Sequence, residues 1–191
     1  MRRIANIAVL CVTALACYGM QISKPHYADL TGPIPAYGSM DDTVETRLFD
    51  VRVDRVVFAQ SLKVNEFGKE KVLTTGGLWA VVATGLAARD QSTMIGSATW
   101  QGPTGLRYRQ TERISVAPGL PPHMVDPGLP KKGRFIFEIP PGEANGATLL
   151  VSNTLYFALD SQARIALDAL KLAPDGSPQG VLPVYDLDQP I

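Results

Sequence analysis

Two adjacent residues, His123 and Met124, hold the most chemistry this sequence offers. They stand in "PPHMVDP", which brings an imidazole, a thioether and the Asp126 carboxylate within four residues. Imidazole with thioether suits copper, and exported sandwich domains can carry such a site on loops. A site would need at least one more ligand, for which Met94 and Met40 are the candidates. Metal binding requires several converging ligands. The plainer expectation is a loop histidine beside a methionine that plugs a gap at the core edge.

The other histidine, His26, sits between Pro25 and Tyr27, where nothing rigid would orient it. A Ser–His–acid triad is defined by geometry, and here it would have to use His26 or His123. G-x-S-x-G, H-E-x-x-H, C-x-x-C, G-x-G-x-x-G and P-loop patterns are all absent. Asp41-Asp42 reads as a solvated pair. Glu138 alternates with Phe137 and Ile139, so if Phe135 and Phe137 face inward, Arg134, Ile136 and Glu138 share an exposed face. Trp100 adjoins the turn "QGPTG", which allows core packing or an exposed contact surface. No catalytic residue and no cofactor is expected, and the chain reads as a non-enzyme.

These residues depend on where the chain resides, and its start decides that. Met1-Arg2-Arg3 precedes an apolar run from Ile4 to about Ile22. A positive start, an apolar middle and small residues near the end form an export signal. Three outcomes stay open. Ala14-Leu15-Ala16 permits cleavage after Ala16. Ala14-Leu15-Ala16-Cys17 resembles a bacterial lipobox, which would lipidate Cys17. The run is also just long enough to span a bilayer uncut. Cys11 and Cys17 are the only cysteines, so the body has no disulfide. The expected partners are the membrane, through this segment, and another envelope protein. Eighteen basic and 18 acidic residues, with no basic run longer than two, argue against nucleic acid.

The expected organisation is a signal or anchor at 1–22, a spacer at 23–37, a folded body at 38–170 and a Pro/Gly-rich, poorly ordered tail at 171–191. Within the body, Phe49, Val51 and Val53 alternate with Asp50, Arg52 and Asp54, and the phase shifts near Arg55, as a bulge or a second short strand would produce. Residues 63–77 read as a long exposed loop. "LWAVVATGLAA" (78–88) is apolar on both faces and belongs mid-sheet, with Trp79 as the natural centre of the core. Strands follow at 94–100, 106–111, 134–140, 147–154 and 163–170, while 117–133, with five prolines, reads as a loop. The aromatic set, Phe49, Phe58, Trp79, Tyr108, Phe135, Phe137 and Tyr156, falls in these strands. Short strands at near-regular spacing predict an all-β, immunoglobulin-like antiparallel sandwich behind a hydrophobic helix, with a barrel as the alternative.

The succession "GSMDDTVET", "FDVRV", "GGLWAVVATGL", "GLRYRQT" and "PGLPKKGRFIFEIP" resembles the telokin-like, immunoglobulin-fold domains of bacterial exported proteins grouped with the immunoprotective extracellular antigens. The likeness spans about 40–155. It implies an exported sandwich with no family catalytic residue to carry over. The functional expectation is a membrane-attached envelope protein whose extracytoplasmic domain binds another protein. The alternative is periplasmic copper handling through His123 and Met124.

Overall fold

The computed structural model describes residues 2–24, 31–153 and 160–191. The chain divides into two compact units, Met1–Gly32 and Pro33–Ile191. His26 and Tyr156 lie outside the described residues. The first unit contains the helix α1 (Arg2–Ile22). Its window Ala5–Ile22 has a mean hydropathy of 1.6, and none of it is buried. By length and composition it can cross a membrane. The Thr13 hydroxyl donates to the Val9 carbonyl at 2.9 Å, so it is satisfied inside the helix.

The second unit is built from strands: β1 (Ile34–Ser39), β2 (Val44–Glu45), β3 (Phe49–Glu66), β4 (Lys69–Ala88), β5 (Thr93–Ile95), β6 (Ser97–Gln101), β7 (Arg107–Arg109), β8 (His123–Val125), β9 (Lys131–Ile139), β10 (Thr148–Ser152), β11 (Ser161–Ala166) and β12 (Leu182–Asp186). One sheet runs β1-β11-β10-β6-β7 and the other β12-β3-β4-β9, with β2 also on β3. β5 and β8 form a separate ribbon. Pairing is antiparallel except at two edges, where β1 runs parallel to β11 and β12 parallel to β3.

The sheets close on a common core. Phe49, Val51 and Val53 of β3 meet Ala80 and Val82 of β4, Phe135 and Phe137 of β9, and Trp100, Leu149 and Ile165 from the opposite sheet. The all-β sandwich behind an apolar helix is therefore as expected. The alternation along β3 holds until the register shifts between Val53 and Arg55, where the phase change in the sequence lies.

Residues 63–77 are not a loop but the two arms of a long β3–β4 hairpin. Its turn is Phe67-Gly68, with φ of 54° and 78°. Two consecutive positive φ values match a primed hairpin turn, usually marked by Asn-Gly, which "FG" does not advertise. The segment from 171 is not a disordered tail, because β12 pairs with β3. The sandwich begins before residue 38, because β1 is one of its edge strands. Finally, Trp79 is buried on the far face of its sheet, in a second cluster with Leu62, Val81, Ile114, Ile136 and Leu187. The centre between the sheets belongs to Trp100, flanked by Phe58 at 6.1 Å and Phe137 at 6.0 Å.

That second cluster also explains why Arg134 and Ile136 are buried rather than exposed. The Arg134 guanidinium donates to the carbonyls of Leu187 and Gln189, both at 2.8 Å. Its backbone N–H donates to Gly119 at 2.7 Å. Arg134 thus fastens the C-terminal segment across the sheet. Arg134→Met keeps apolar bulk but leaves two carbonyls without donors. It should lower the urea unfolding free energy by about 2 kcal/mol, with faster amide exchange concentrated at 182–187.

Candidate functional site

Strand geometry separates the pair that offered metal chemistry. β8 pairs with β5 so that Ile95 faces His123, Met94 faces Met124 and Thr93 faces Val125. Successive strand residues point to opposite faces. His123 and Val125 turn inward, while Met124 turns out at 53% exposure. His123 and Met124 therefore cannot ligate one ion from this strand. Met94, 45% exposed, does come beside Met124, but the two thioethers are without the imidazole. Met40 packs against the main core instead. Among the described residues no group of three His, Cys, Asp or Glu side chains could hold a metal.

The His123 ring fills a slot made by a glycine. A Cβ on Gly133 would lie 2.7 Å from its Cε1 and 2.8 Å from its Nε2. The ring stands edge-on to Phe135, with centroids 5.2 Å apart, and Nε2 has no hydrogen-bond partner. Burial is the main cause that lowers its pKa to about 4. A hydrogen bond to the Arg134 backbone works in the opposite direction, and the Lys131 charge adds to the lowering. The site holds a neutral imidazole as a packing group.

Trp100 offers no contact surface. It is fully buried, and its Nε1–H donates to the Glu143 carbonyl at 2.8 Å. The Glu143 carboxylate is itself buried and accepts from the Thr104 hydroxyl at 2.7 Å. A turn that looked open in sequence is thus folded over the indole by the 3-10 turn Pro141–Glu143. Glu138 keeps the outward position expected of it and pairs with Arg113. The Arg113 guanidinium lies 5.2 Å above the Trp79 ring. Cys17 and Cys11 are both exposed on α1 with free thiols.

Sequence reasoning missed Phe67. It is 88% exposed at the tip of the β3–β4 hairpin, in a left-handed conformation that bulky side chains avoid. The hairpin arms are tied by Lys63–Glu70 at 2.8 Å and Lys71–Glu66 at 3.2 Å. The signal available was the run of alternating charges on either side of "FG".

These features define an all-β sandwich carried behind an apolar helix, with His123, Trp79 and Trp100 in the interior. No protein-family model matches the sequence, and no curated protein does. Among solved structures the chain is similar to the yjhA protein of Bacillus subtilis, at 13% identity and a TM-score of 0.48 over 67% of this chain and 99% of that one. It is also similar to MPT63, a secreted protein from Mycobacterium tuberculosis, at 11% identity and a TM-score of 0.49 over 71% and 98%. A third is an uncharacterised β-sandwich protein from Clostridium difficile 630, at 10% identity and a TM-score of 0.46 over 76% and 100%.

A neutral, buried His123 makes stability depend on pH with a fixed sign. The unfolded chain takes up its proton near the ordinary value of 6.5, and the folded one only at about 4. Stability is therefore full above pH 6.5 and falls as pH drops towards 4. Between pH 7 and pH 5 the native protein should lose about 2 kcal/mol more than His123→Leu, read from urea titrations at each pH.

Proposed function

We propose that this protein is a non-enzymatic, membrane-attached component of the bacterial cell envelope, of the immunoprotective extracellular kind, whose sandwich binds another envelope protein. The observation that carries the location is α1. An 18-residue apolar window with no buried face, preceded by Arg2 and Arg3, has a bilayer as its natural surroundings. The arginines stay cytoplasmic, so the sandwich is extracytoplasmic. Retention of α1 as an anchor and acylation of Cys17 are the two ways of staying attached.

The interaction role is favoured by Phe67. An aromatic side chain in water and a positive φ are both unfavourable locally, and strained residues cluster where a partner is held. Its hairpin tip is the proposed contact, with Phe67 as the buried anchor once the partner arrives. Copper handling has lost its residue pair, since His123 faces the core and Met124 the solvent.

Two measurements test this reading. Intact mass of the protein extracted from membranes should begin at Met1 for an anchor, or at an acylated Cys17. A protein recovered from the cytosol with residues 1–22 in place would overturn the location. Phe67→Asn suits the turn better and should raise stability by about 0.5 kcal/mol. It should also reduce recovery of a specific cross-linked envelope partner at least about tenfold, as loss of an interface anchor does. Unchanged cross-linking would remove Phe67 from the contact.

A further inference from the structure

The outward face of the β1-β11-β10-β6-β7 sheet carries arginines that have no acidic partners among the described residues. Strand register places them. Trp100 faces inward, so its neighbours Thr99 and Gln101 face outward, and so do their partners Arg109 and Arg107 on β7. Across β10 and β11 the same rows continue through Leu150 to Arg164 and on to Tyr37 of β1. Arg109 and Arg164 therefore stand three strand spacings apart, about 14 Å. Beside Arg164 and Tyr37 lies a shallow groove that reaches Gln101 over Thr148, Leu150 and Ala166.

No outward position on the five strands is acidic. The Arg107 and Arg164 Nε atoms donate only to neutral amides, Gln101 Oε1 at 3.3 Å and Gln162 Oε1 at 3.2 Å. That orients each guanidinium, and among the described residues its outer nitrogens have no hydrogen-bond partner. Among the described residues none of the three arginines has a carboxylate within ion-pair distance. The nearby acids are engaged elsewhere: Asp160 with Arg47, Asp42 with the Ser39 N–H and Asp168 with the Met40 N–H. Tyr37, 72% exposed, lies under the Arg164 guanidinium at 5.9 Å. An aromatic ring with a polar end beside cations is the composition that settles at a headgroup layer.

We infer that this arginine face docks onto the anionic phospholipid headgroups of the membrane that holds α1. The inference rests on the membrane-attached reading above. Chain length makes the contact reachable, because only eleven residues separate Ile22 from Ile34. Fully extended they span at most about 40 Å. A body tethered so closely meets the surface at high effective concentration, so weak attraction suffices. Each arginine near an anionic surface shifts binding roughly fivefold, so three shift it about a hundredfold.

The test uses the full chain reconstituted in vesicles, with Cys11→Ala and Cys17→Ala so that one new cysteine carries a donor dye. Leu106→Cys labels the rim of the face, and Lys69→Cys labels the opposite sheet. Vesicles are phosphatidylcholine alone, or phosphatidylcholine with phosphatidylglycerol, each with an acceptor-labelled lipid. Docking predicts strong energy transfer from position 106 only in the phosphatidylglycerol vesicles. Position 69 should transfer weakly in both. High salt and the Arg107→Glu, Arg109→Glu, Arg164→Glu variant should each abolish the difference. Transfer from position 106 that ignores lipid charge, or survives the triple variant, overturns the inference and leaves the arginines to an acidic protein surface. Sedimentation with vesicles at high salt reports anchoring separately. A chain that fails to sediment in any lipid sinks attachment through a retained α1 and the docking that depends on it.

Discussion

Strand β4 is apolar on both faces, and that constraint shapes the rest of the molecule. Ala80 and Val82 face the opposite sheet, while Trp79 and Val81 face away from it. A two-sheet sandwich covers only one of these faces. Leaving an indole and its neighbours in water would forfeit several kcal/mol of hydrophobic stabilisation, at roughly 25 cal/mol per Å². The chain answers with a third layer. Ile114, Leu187 and part-buried Leu120 and Tyr185 are drawn over Trp79, Val81 and Ile136. Parallel pairing of β12 with β3 and the two Arg134 hydrogen bonds keep that layer in place. A buried guanidinium without a carboxylate is costly in itself. Burial pulls its pKa below the ordinary arginine value, which expresses that cost, and the two backbone carbonyls that accept from it offset part of the cost.

The same economy of faces removes the chemistry that one-dimensional reading offers. His123, Met124 and Asp126 are close in sequence, yet an extended backbone sends alternate side chains apart. What results is a neutral imidazole lodged in the space a side chain at Gly133 would occupy, and a thioether in solvent. The proposed functions lie on its surface. The hairpin tip at Phe67 and the arginine face are features of opposite sheets, so one sandwich can be held to a surface on one side and meet a partner with the other.

How much of this was legible beforehand varies by element. Strands with strict alternation, such as 49–53, or with continuous apolar character, such as 78–88, were readable because burial alone selects those patterns. The 63–77 hairpin was not, because its short apolar face, Val64 and Leu73, is buried only by distant segments of the second cluster, while its other positions are charged and read as a loop. Its turn also lacks the usual residues. The role of 182–187 was hidden for a related reason. Prolines and glycines around it describe local irregularity, and pairing with a strand more than a hundred residues away leaves no local trace. Trp100 beside a Gly/Pro turn allowed either core packing or exposure, and the fold-back of Pro141–Glu143 is what encloses it.

Sequence by itself determined the apolar, charge-flanked helix, the all-β character of the body and the bulge near Arg55. Each follows from local hydrophobic periodicity, which does not need a partner to be read. Tertiary structure alone decided which tryptophan sits between the sheets, which face of β9 is covered, and that Arg107, Arg109 and Arg164 share a surface. Those outcomes depend on strand register and on long-range pairing, and neither is written in any window of neighbouring residues.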